Sequence, residues 1–142
     1  MAYKYSRKDY EESTTIKNRW RDFDASFDKN PVTNDLVINT DEKAVKEAVK
    51  NIVLTNFYER PFRPRLGSNI RNLLFEPMVP MTFVLIKKQI EVALNNYEPR
   101  IDLEEVQVRG NPDKNAIEVS IRFRIQDFVT STSVGITLRR TR

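Results

Sequence analysis

The sequence of 142 residues contains neither cysteine nor histidine. Without cysteine, disulfides, thiolate nucleophiles and cysteine-ligated zinc sites are excluded. Without histidine, the commonest general base and metal ligand is missing, and Ser-His-Asp or Cys-His catalytic arrangements are impossible. Any catalysis would have to use carboxylate, lysine, tyrosine or hydroxyl groups, and we expect neither a metal nor a cofactor.

Long apolar runs are also lacking. The longest is Phe83-Val84-Leu85-Ile86, far short of the roughly 20 residues that cross a bilayer. The first ten residues are charged and contain no apolar stretch of the signal-peptide kind. We therefore expect a soluble intracellular product without membrane contacts.

The charge balance is moderately basic. Lysine and arginine number 24 against 20 acidic residues, a formal net charge of +4, and 31% of the chain is charged. This polar composition predicts either long extensions or a surface built for partners. Residues 1–15 hold almost no aliphatic side chains and are predicted to form a mobile N-terminal arm, with residues 16–142 as a single domain.

Three aromatic residues, Trp20, Phe23 and Phe27, follow the arm at spacings of three and four. The spacing fits a helix, but the aspartates between them are poor helix formers. The preferred interpretation is an irregular segment whose aromatic side chains dock on the main core, with a helix as the alternative.

The middle of the chain predicts three helices. The first follows Thr40 as N-cap and runs to about Asn56. A second covers two turns from Asn69 to Phe75. The third begins near Pro80 and is ended by Pro99. Its predicted apolar stripe comprises Phe83, Ile86, Ile90, Ala93, Leu94 and Tyr97.

The last third of the chain changes its hydrophobic period from 3.6 to 2. Residues 117–125 alternate strictly between apolar and polar, which is typical of an antiparallel strand with one buried face. Val106 and Val108 predict a strand before it, and Val134, Ile136 and Leu138 predict one after it. Helices first and a meander afterwards predict an α+β fold, with about three helices packed on a small antiparallel sheet.

Catalytic candidates are weak. Glycoside hydrolysis requires two carboxylates at a working separation. The acids nearest to predicted loops are Glu59, Glu76, Glu98 and Asp102. Nothing in the sequence places two of them together, so no catalytic residue is assigned and the protein is not predicted to be an enzyme.

Arginines cluster in the loop from Arg60 to Ser68. Phosphate binding would use them, but no nucleic-acid motif and no interleaved platform of exposed aromatics accompanies them. We expect Pro61 and Pro64 to fix the backbone and Phe62 and Leu66 to hold the loop to the core. Arg60, Arg63 and Arg65 are predicted to contact a protein partner.

Glu98, Pro99 and Arg100 follow the third predicted helix. One interpretation is a helix stop with two flanking charges. The other is a rigid corner that directs a carboxylate and a guanidinium toward a partner, with Pro99 reducing the entropy lost on binding.

Three segments together carry a family resemblance: ERPFRPRLGS at residues 59–68, LLFEP at 73–77 and NYEPRI at 96–101. In order and spacing they resemble the small baseplate wedge subunit of contractile-tailed phages, the W-like or lysozyme-like baseplate proteins. Sheath initiators of tailocins and a wedge component of type VI secretion belong to the same family. The resemblance extends from about Trp20 to Leu138.

The resemblance implies a structural role in the virion tail baseplate, assembled in the host cytoplasm. Expected partners are larger baseplate wedge proteins in a core bundle, the tail sheath protein, and the tail tube or hub. Glu98, Pro99 and Arg100 match the family's Glu-Pro-Arg motif, which is implicated in wedge contacts. The C-terminal strands resemble those of the sheath protein and would provide the first sheath ring with an attachment point.

The residues themselves favour the same interpretation. A sheet of about three strands has open edges, and an open edge can accept an extended arm of a partner. Val134, Ile136 and Leu138 mark the strand predicted to do so, while Arg122 and Arg124 on the wet face would set orientation. A peptidoglycan-degrading muramidase and a nucleic-acid-binding protein stay open as alternatives.

Overall fold

The computed structural model describes residues 20–29, 31, 34–126 and 128–139. The chain divides into two compact units, one ending at Ala44 and one beginning at Val45. The predicted arm at residues 1–15 lies outside the described residues.

The first unit contains a two-stranded antiparallel ribbon. Strand β1 (Arg21–Phe23) pairs with strand β2 (Ile38–Thr40). After β1 the backbone turns where Asp24 Oδ1 accepts hydrogen bonds from the Ser26 N–H and hydroxyl, at 3.0 and 2.8 Å. A side chain that bonds its own neighbouring backbone in this way favours a turn over a helix.

The prediction for this segment is wrong. It is neither irregular throughout nor helical, and two of the three aromatic residues do not dock on a core. Phe23 and Phe27 are exposed, while Trp20 is half-buried. The spacing of three and four residues between the aromatic side chains therefore does not reflect a helix, because the chain is extended in β1 and then turns.

Helix α1 (Asp41–Leu54) begins where it was predicted and ends two residues before the predicted Asn56. Its apolar side chains Val45, Val49, Ile52 and Val53 are buried, as the period of 3.6 indicates. Thr55 ends it, with its N–H and its hydroxyl both donating to the Asn51 carbonyl.

The second helix is shorter than predicted. Helix α2 (Ile70–Leu73) is a single turn, not the two turns from Asn69 to Phe75. Asn69 adopts a left-handed conformation with φ 53°, so it cannot belong to the helix that follows. The chain after Leu74 continues as turns that end at Pro77.

Helix α3 (Pro80–Tyr97) confirms the predicted long helix, with Pro80 in its first turn. Ile86, Ile90, Ala93 and Leu94 are buried along one face, and the helix packs against the first strand of the sheet. None of the helices in the described part of the chain is long and apolar enough to cross a membrane.

A three-stranded antiparallel sheet completes the second unit. Strands β3 (Ile101–Asn111), β4 (Ala116–Ile125) and β5 (Ser131–Arg139) lie in that order, which confirms the α+β prediction. Helix α3 and strand β3 are in close contact at Gly110, where a Cβ atom would lie 2.6 Å from the Phe83 ring and would force the ring to shift.

The two faces of the sheet differ sharply. In β4, Val119, Ile121, Phe123 and Ile125 are buried, while the residues between them are exposed. In β5, Ile136 and Leu138 are buried and pair with Val119 and Ile117 of β4. The outer strands β3 and β5 each have one edge that pairs with no other strand among the described residues.

Candidate partner-binding surfaces

The corner after helix α3 is built around one ion pair. Glu98 is 4% exposed, and its two carboxylate oxygens accept hydrogen bonds from Nε and Nη2 of Arg100 at 2.5 and 2.6 Å. A buried carboxylate must be paired, and a two-point guanidinium contact is the strongest common way to pair it. Pro99 separates the two residues and is itself exposed.

The corner is also fixed to the sheet. The Gln126 N–H donates to the Arg100 carbonyl at 2.9 Å, and the Gln126 side-chain amide donates to the Pro99 carbonyl at 2.8 Å. Ile101 then pairs with Ile125 at the start of β3. These contacts leave the residues of the corner little freedom to change direction.

The geometry differs from the expectation that the corner directs a carboxylate outward. The Glu98 carboxylate is enclosed and serves the fold, because Arg100 saturates it from within the chain. The accessible parts of the corner are Pro99 and the quarter of the Arg100 side chain that stays exposed. Whether they touch a partner stays a prediction.

The loop from Arg60 to Ser68 is held in one shape by backbone hydrogen bonds. The Tyr58 N–H donates to the Pro64 carbonyl at 2.7 Å, and the Ser68 N–H donates to the Thr55 carbonyl at 3.1 Å. The Tyr97 hydroxyl of α3 donates to the Arg65 carbonyl at 2.7 Å. The loop is thus closed on itself and attached to the long helix.

Glu59 closes the same loop from the other side. Its carboxylate accepts hydrogen bonds from the Asn56 N–H and side-chain amide, at 2.8 and 2.9 Å. These bonds, above all the one from the backbone, lower the pKa of Glu59, and Arg71 at 3.7 Å adds to the effect. The carboxylate is therefore ionised and bound at neutral pH.

The prediction that Phe62 holds the loop to the core is wrong. Phe62 is 98% exposed, and Tyr58 beside it is 83% exposed. The turn formed by the Arg63 N–H and the Arg60 carbonyl directs the ring outward. Leu66 is half-buried, and Gly67 has the expected positive φ, at 127°.

The three loop arginines predicted for partner contacts are exposed. Within the described residues, no carboxylate lies within 4 Å of Arg60, Arg63 or Arg65, whereas Arg71 lies 3.7 Å from Glu59. The loop therefore combines unpaired guanidinium groups with two exposed aromatic rings, a combination that the sequence interpretation missed.

Arg122 and Arg124 lie on the solvent face of β4. Each is paired with an acid of the neighbouring strand, Arg122 with Glu105 at 3.5 Å and Arg124 with Asp102 at 3.7 Å. All four side chains are about half exposed, so the pairs are weak and easily exchanged for contacts with another chain.

The side chains predicted to mark a partner strand are largely internal. Ile136 and Leu138 are buried, and Val134 is half-buried, so these side chains pack on their own core. What β5 offers outward is backbone: in an antiparallel strand, alternate residues direct their N–H and C=O groups away from the paired neighbour.

The contacts of three candidate catalytic acids are clear. Glu98 binds Arg100, Glu59 binds Asn56, and Asp102 lies near Arg124. Across the part of the chain that the structure describes, no cluster of three acidic residues could hold a metal ion.

With this geometry established, comparison with known proteins identifies the family. Residues 39–128 match the family model described as baseplate wedge protein gp25. The chain belongs to that family. The match includes all three motifs and the Glu98–Arg100 corner, but it is narrower than the expected stretch from Trp20 to Leu138 and stops before β5.

A curated relative supports the assignment. The chain is 38% identical over 85 residues to the baseplate wedge protein gp25 of Enterobacteria phage T4, which covers 60% of this chain and 64% of that protein. The aligned part thus spans slightly less than two thirds of the relative. The match confirms the predicted baseplate wedge family and the predicted place in the virion tail baseplate.

Solved structures show the same fold at low sequence identity. A proposed tail lysozyme from Geobacter sulfurreducens is 24% identical, with a TM-score of 0.69 over 75% of this chain and 97% of that one. A chain of the anti-feeding prophage baseplate is 17% identical, with a TM-score of 0.60 over 84% of each chain. A chain of the pyocin R2 baseplate after contraction is 19% identical, with a TM-score of 0.53 over 82% of this chain and 97% of that one.

Proposed function

We propose that this protein joins larger wedge proteins through its Glu98–Arg100 corner and nucleates tail sheath assembly through strand β5, without enzymatic activity. The tail sheath protein would be the partner at the sheet edge, and the tail tube or hub a neighbour. The observation that carries the proposal is the edge of β5 that pairs with no other strand among the described residues, while buried Ile136 and Leu138 anchor the strand.

The two free edges of the sheet are not equivalent. The pairing of β3 with β4 has a register shift between Leu103 and Glu105, which makes β3 irregular, and this strand carries several charged residues. Bulges and charges are the devices with which proteins protect an edge against added strands. Strand β5 pairs regularly over nine residues, contains no proline, and has Arg139 as its one charged residue. The β5 edge is therefore the one suited to accept a strand.

The corner suits a different contact. Because Glu98 binds Arg100 within the chain, the guanidinium is already oriented before any partner arrives. Guanidinium groups have five N–H donors, so a paired arginine still has donors for a second acceptor. Pro99 and Arg100 would thus bind a carbonyl or carboxylate on a wedge protein at low entropic cost.

Strand addition can be tested without deleting β5, whose buried Ile136 and Leu138 the fold needs. Of two adjacent residues, one directs its N–H toward β4 and the other toward the open edge. Thr132→Pro and Ser133→Pro therefore separate pairing with β4 from pairing with a partner's strand. One should lower the melting temperature, and the other should leave it nearly unchanged but prevent sheath assembly.

Thr132→Ala and Ser133→Ala keep both backbone donors and serve as matched controls. Baseplates would be purified with each variant, and sheath would be scored by electron microscopy. Sheathed tails from the proline variant that keeps its melting temperature would overturn the role of the β5 edge.

The likeness to a proposed tail lysozyme gives the muramidase alternative its one support. Against it, Glu98 and Glu59 are bound by other groups and are not available to act as a general acid. The measurement is the turbidity of a cell-wall suspension with the purified chain. Clearing that disappears in Glu59→Gln, Glu76→Gln or Asp102→Asn would establish the enzyme instead.

A further inference from the structure

The loop that carries Arg60, Phe62 and Arg63 has no role in either the corner or the β5 edge. Phe62 is the most exposed aromatic residue among those described, and its exposure is almost complete. A phenylalanine that contributes nothing to its own core keeps its apolar surface in water, and burial of that surface by a partner would be favourable. Exposed single apolar residues are common, so the argument depends on the surroundings of this ring.

The first relevant property is that the loop is rigid. Backbone hydrogen bonds close it at Tyr58 and at Ser68, and the buried Ser68 hydroxyl donates to the Val53 carbonyl at 2.5 Å. Gly67 adopts a φ of 127°, and a side chain there would overlap the Thr55 backbone. A ring held out by a fixed backbone loses little entropy when it is buried by a partner.

The second property is charge. Arg60, Arg63 and Arg65 lie within three residues of Phe62 in the sequence and are exposed, and none of them has a carboxylate within 4 Å in the described part of the chain. Elsewhere in the described part of the second unit, Arg71, Arg100, Arg122 and Arg124 each lie near an acid, while Arg109 and Arg139 do not but are single residues on separate strands. The loop is thus a concentrated positive surface around an apolar projection.

The third property is an adjoining groove. It is open, has a volume of about 350 Å³, and lies between the loop and helix α3. Its walls include Tyr58, Pro64, Val92 and Tyr97, and Val92 is half exposed. Phe62 does not line this groove, and Arg65, Gln89 and Asn96 contribute polar groups to it, but a partner that contacts the loop would find further aromatic and apolar surface there.

We propose that Phe62 is the anchor of a second wedge contact, in which it enters an apolar pocket on another baseplate subunit whose rim carries aspartate and glutamate. Aromatic anchors with surrounding arginines are typical of the centres of protein interfaces. We infer an acidic rim because the three arginines have no carboxylate of their own nearby. A neutral or positively charged rim would bury their guanidinium groups without a partner. This inference rests on the proposed function, because it names a further contact of the same wedge subunit.

The test compares substitutions at the ring with substitutions at its rim. Phe62→Ser should reduce incorporation of the full-length chain into purified baseplates at least about tenfold, the loss typical of an interface anchor. Phe62→Leu, which keeps an apolar side chain, should reduce it less than about threefold. Arg60→Ser with Arg63→Ser should produce a similar loss. Lys114→Ser, at the exposed β3–β4 turn, removes positive charge elsewhere and should have no effect. All variants should keep the wild-type melting temperature, because these side chains lie outside the core.

A photo-crosslinking amino acid at position 62 identifies what the ring touches. In assembled baseplates it should attach to another wedge subunit, within a peptide that contains acidic residues. Normal incorporation of Phe62→Ser, or cross-links to nucleic acid or to a second copy of this chain, would overturn the inference. So would binding of a single-stranded oligonucleotide that Phe62→Ser abolishes.

Failure of the inference and failure of the proposed function give different results. If the wild-type chain is recovered in baseplates and Phe62→Ser is recovered equally well, the Phe62 contact alone is wrong. If the wild-type chain is itself absent from baseplates that are otherwise complete, both proposals are wrong.

Discussion

Both carboxylate oxygens of Glu98 bind one guanidinium, that of Arg100, across a single intervening proline. The short separation in sequence and the enclosed position of Glu98 make this pair a structural element of the corner. Its contribution to the fold has to be separated from its contribution to assembly, because a change at either residue affects both.

The Glu98–Arg100 ion pair predicts that a single substitution destabilises the fold more than a double substitution. Arg100→Ala should lower the free energy of unfolding by about 3 kcal/mol, because it leaves a buried carboxylate without a counter-charge. Glu98→Leu combined with Arg100→Met should recover most of that loss, since no buried charge remains. Urea denaturation of the three proteins gives the values. If Arg100→Ala unfolds at the wild-type urea concentration, the pair is not structural.

The same variants then separate fold from assembly. The double variant is expected to be stable and yet fail to enter baseplates, because it lacks the oriented guanidinium. Its normal incorporation, measured by quantifying the chain in purified particles, would remove the corner from the proposed wedge interface.

Two glycines predict opposite responses to the same substitution. Gly67→Ala should destabilise the fold by roughly 2 kcal/mol or more, because alanine disfavours a φ of 127° and its Cβ would overlap the Thr55 carbonyl. Gly135→Ala is the matched control, since a Cβ there meets nothing within 4 Å. It should be neutral or stabilise by about 0.5 kcal/mol through the unfolded chain. Calorimetric melting of both variants tests the pair, and equal effects would contradict the account of Gly67.

The loop is expected to loosen in acid. Hydrogen bonds from Asn56 lower the pKa of Glu59 in the folded chain, so its stabilisation is fully present above the ordinary carboxyl pKa and is lost as the pH falls through the folded value. The amide proton shift of Asn56, followed by NMR, should titrate with a midpoint below the ordinary value. Glu59→Gln keeps an acceptor but cannot ionise, and should show no transition. A midpoint at or above the ordinary value would contradict the assignment.

The cross-strand pairs on the wet face should matter little to the isolated chain. Arg122→Ser and Arg124→Ser are each expected to change the free energy of unfolding by less than about 1 kcal/mol, because both pairs are exposed. A larger loss in thermal melting would mean that the pairs support the sheet. If these arginines orient a partner, as predicted, the variants should reduce sheath attachment while melting normally.

The elements with a clear local signal could be predicted from the sequence. Strict alternation defined β4, because one face of the sheet is buried and the other is wet. Pro80 and Pro99 bracketed helix α3, since proline is accepted in the first turn and excluded from the interior. The motifs at residues 59–68 and 96–101 identified the family, which the matched region confirms.

The errors have physical reasons. The β1–β2 ribbon depends on pairing between three-residue strands whose paired residues are fifteen or more positions apart, which no local pattern encodes. Phe62 was expected inside because it is apolar, and its exposure depends on the fixed turn that carries it. The ion pair between Glu98 and Arg100 depends on the direction that the backbone takes after α3, and that direction cannot be predicted from the sequence. Gln126 and Tyr97 hold the corner and the loop through contacts with distant backbone carbonyls, 27 and 32 residues away.

Strand β5 joins a regular ladder on one side and buries Ile136 and Leu138 beneath it. A strand added along its other side would lie alongside β5 with its hydrogen bonds perpendicular to both strands, so that a pull along the strands would load many of these bonds at once in shear. Peeling them apart one by one would require a force in another direction. Such an attachment would resist tension along the strands while still forming from modest individual bonds.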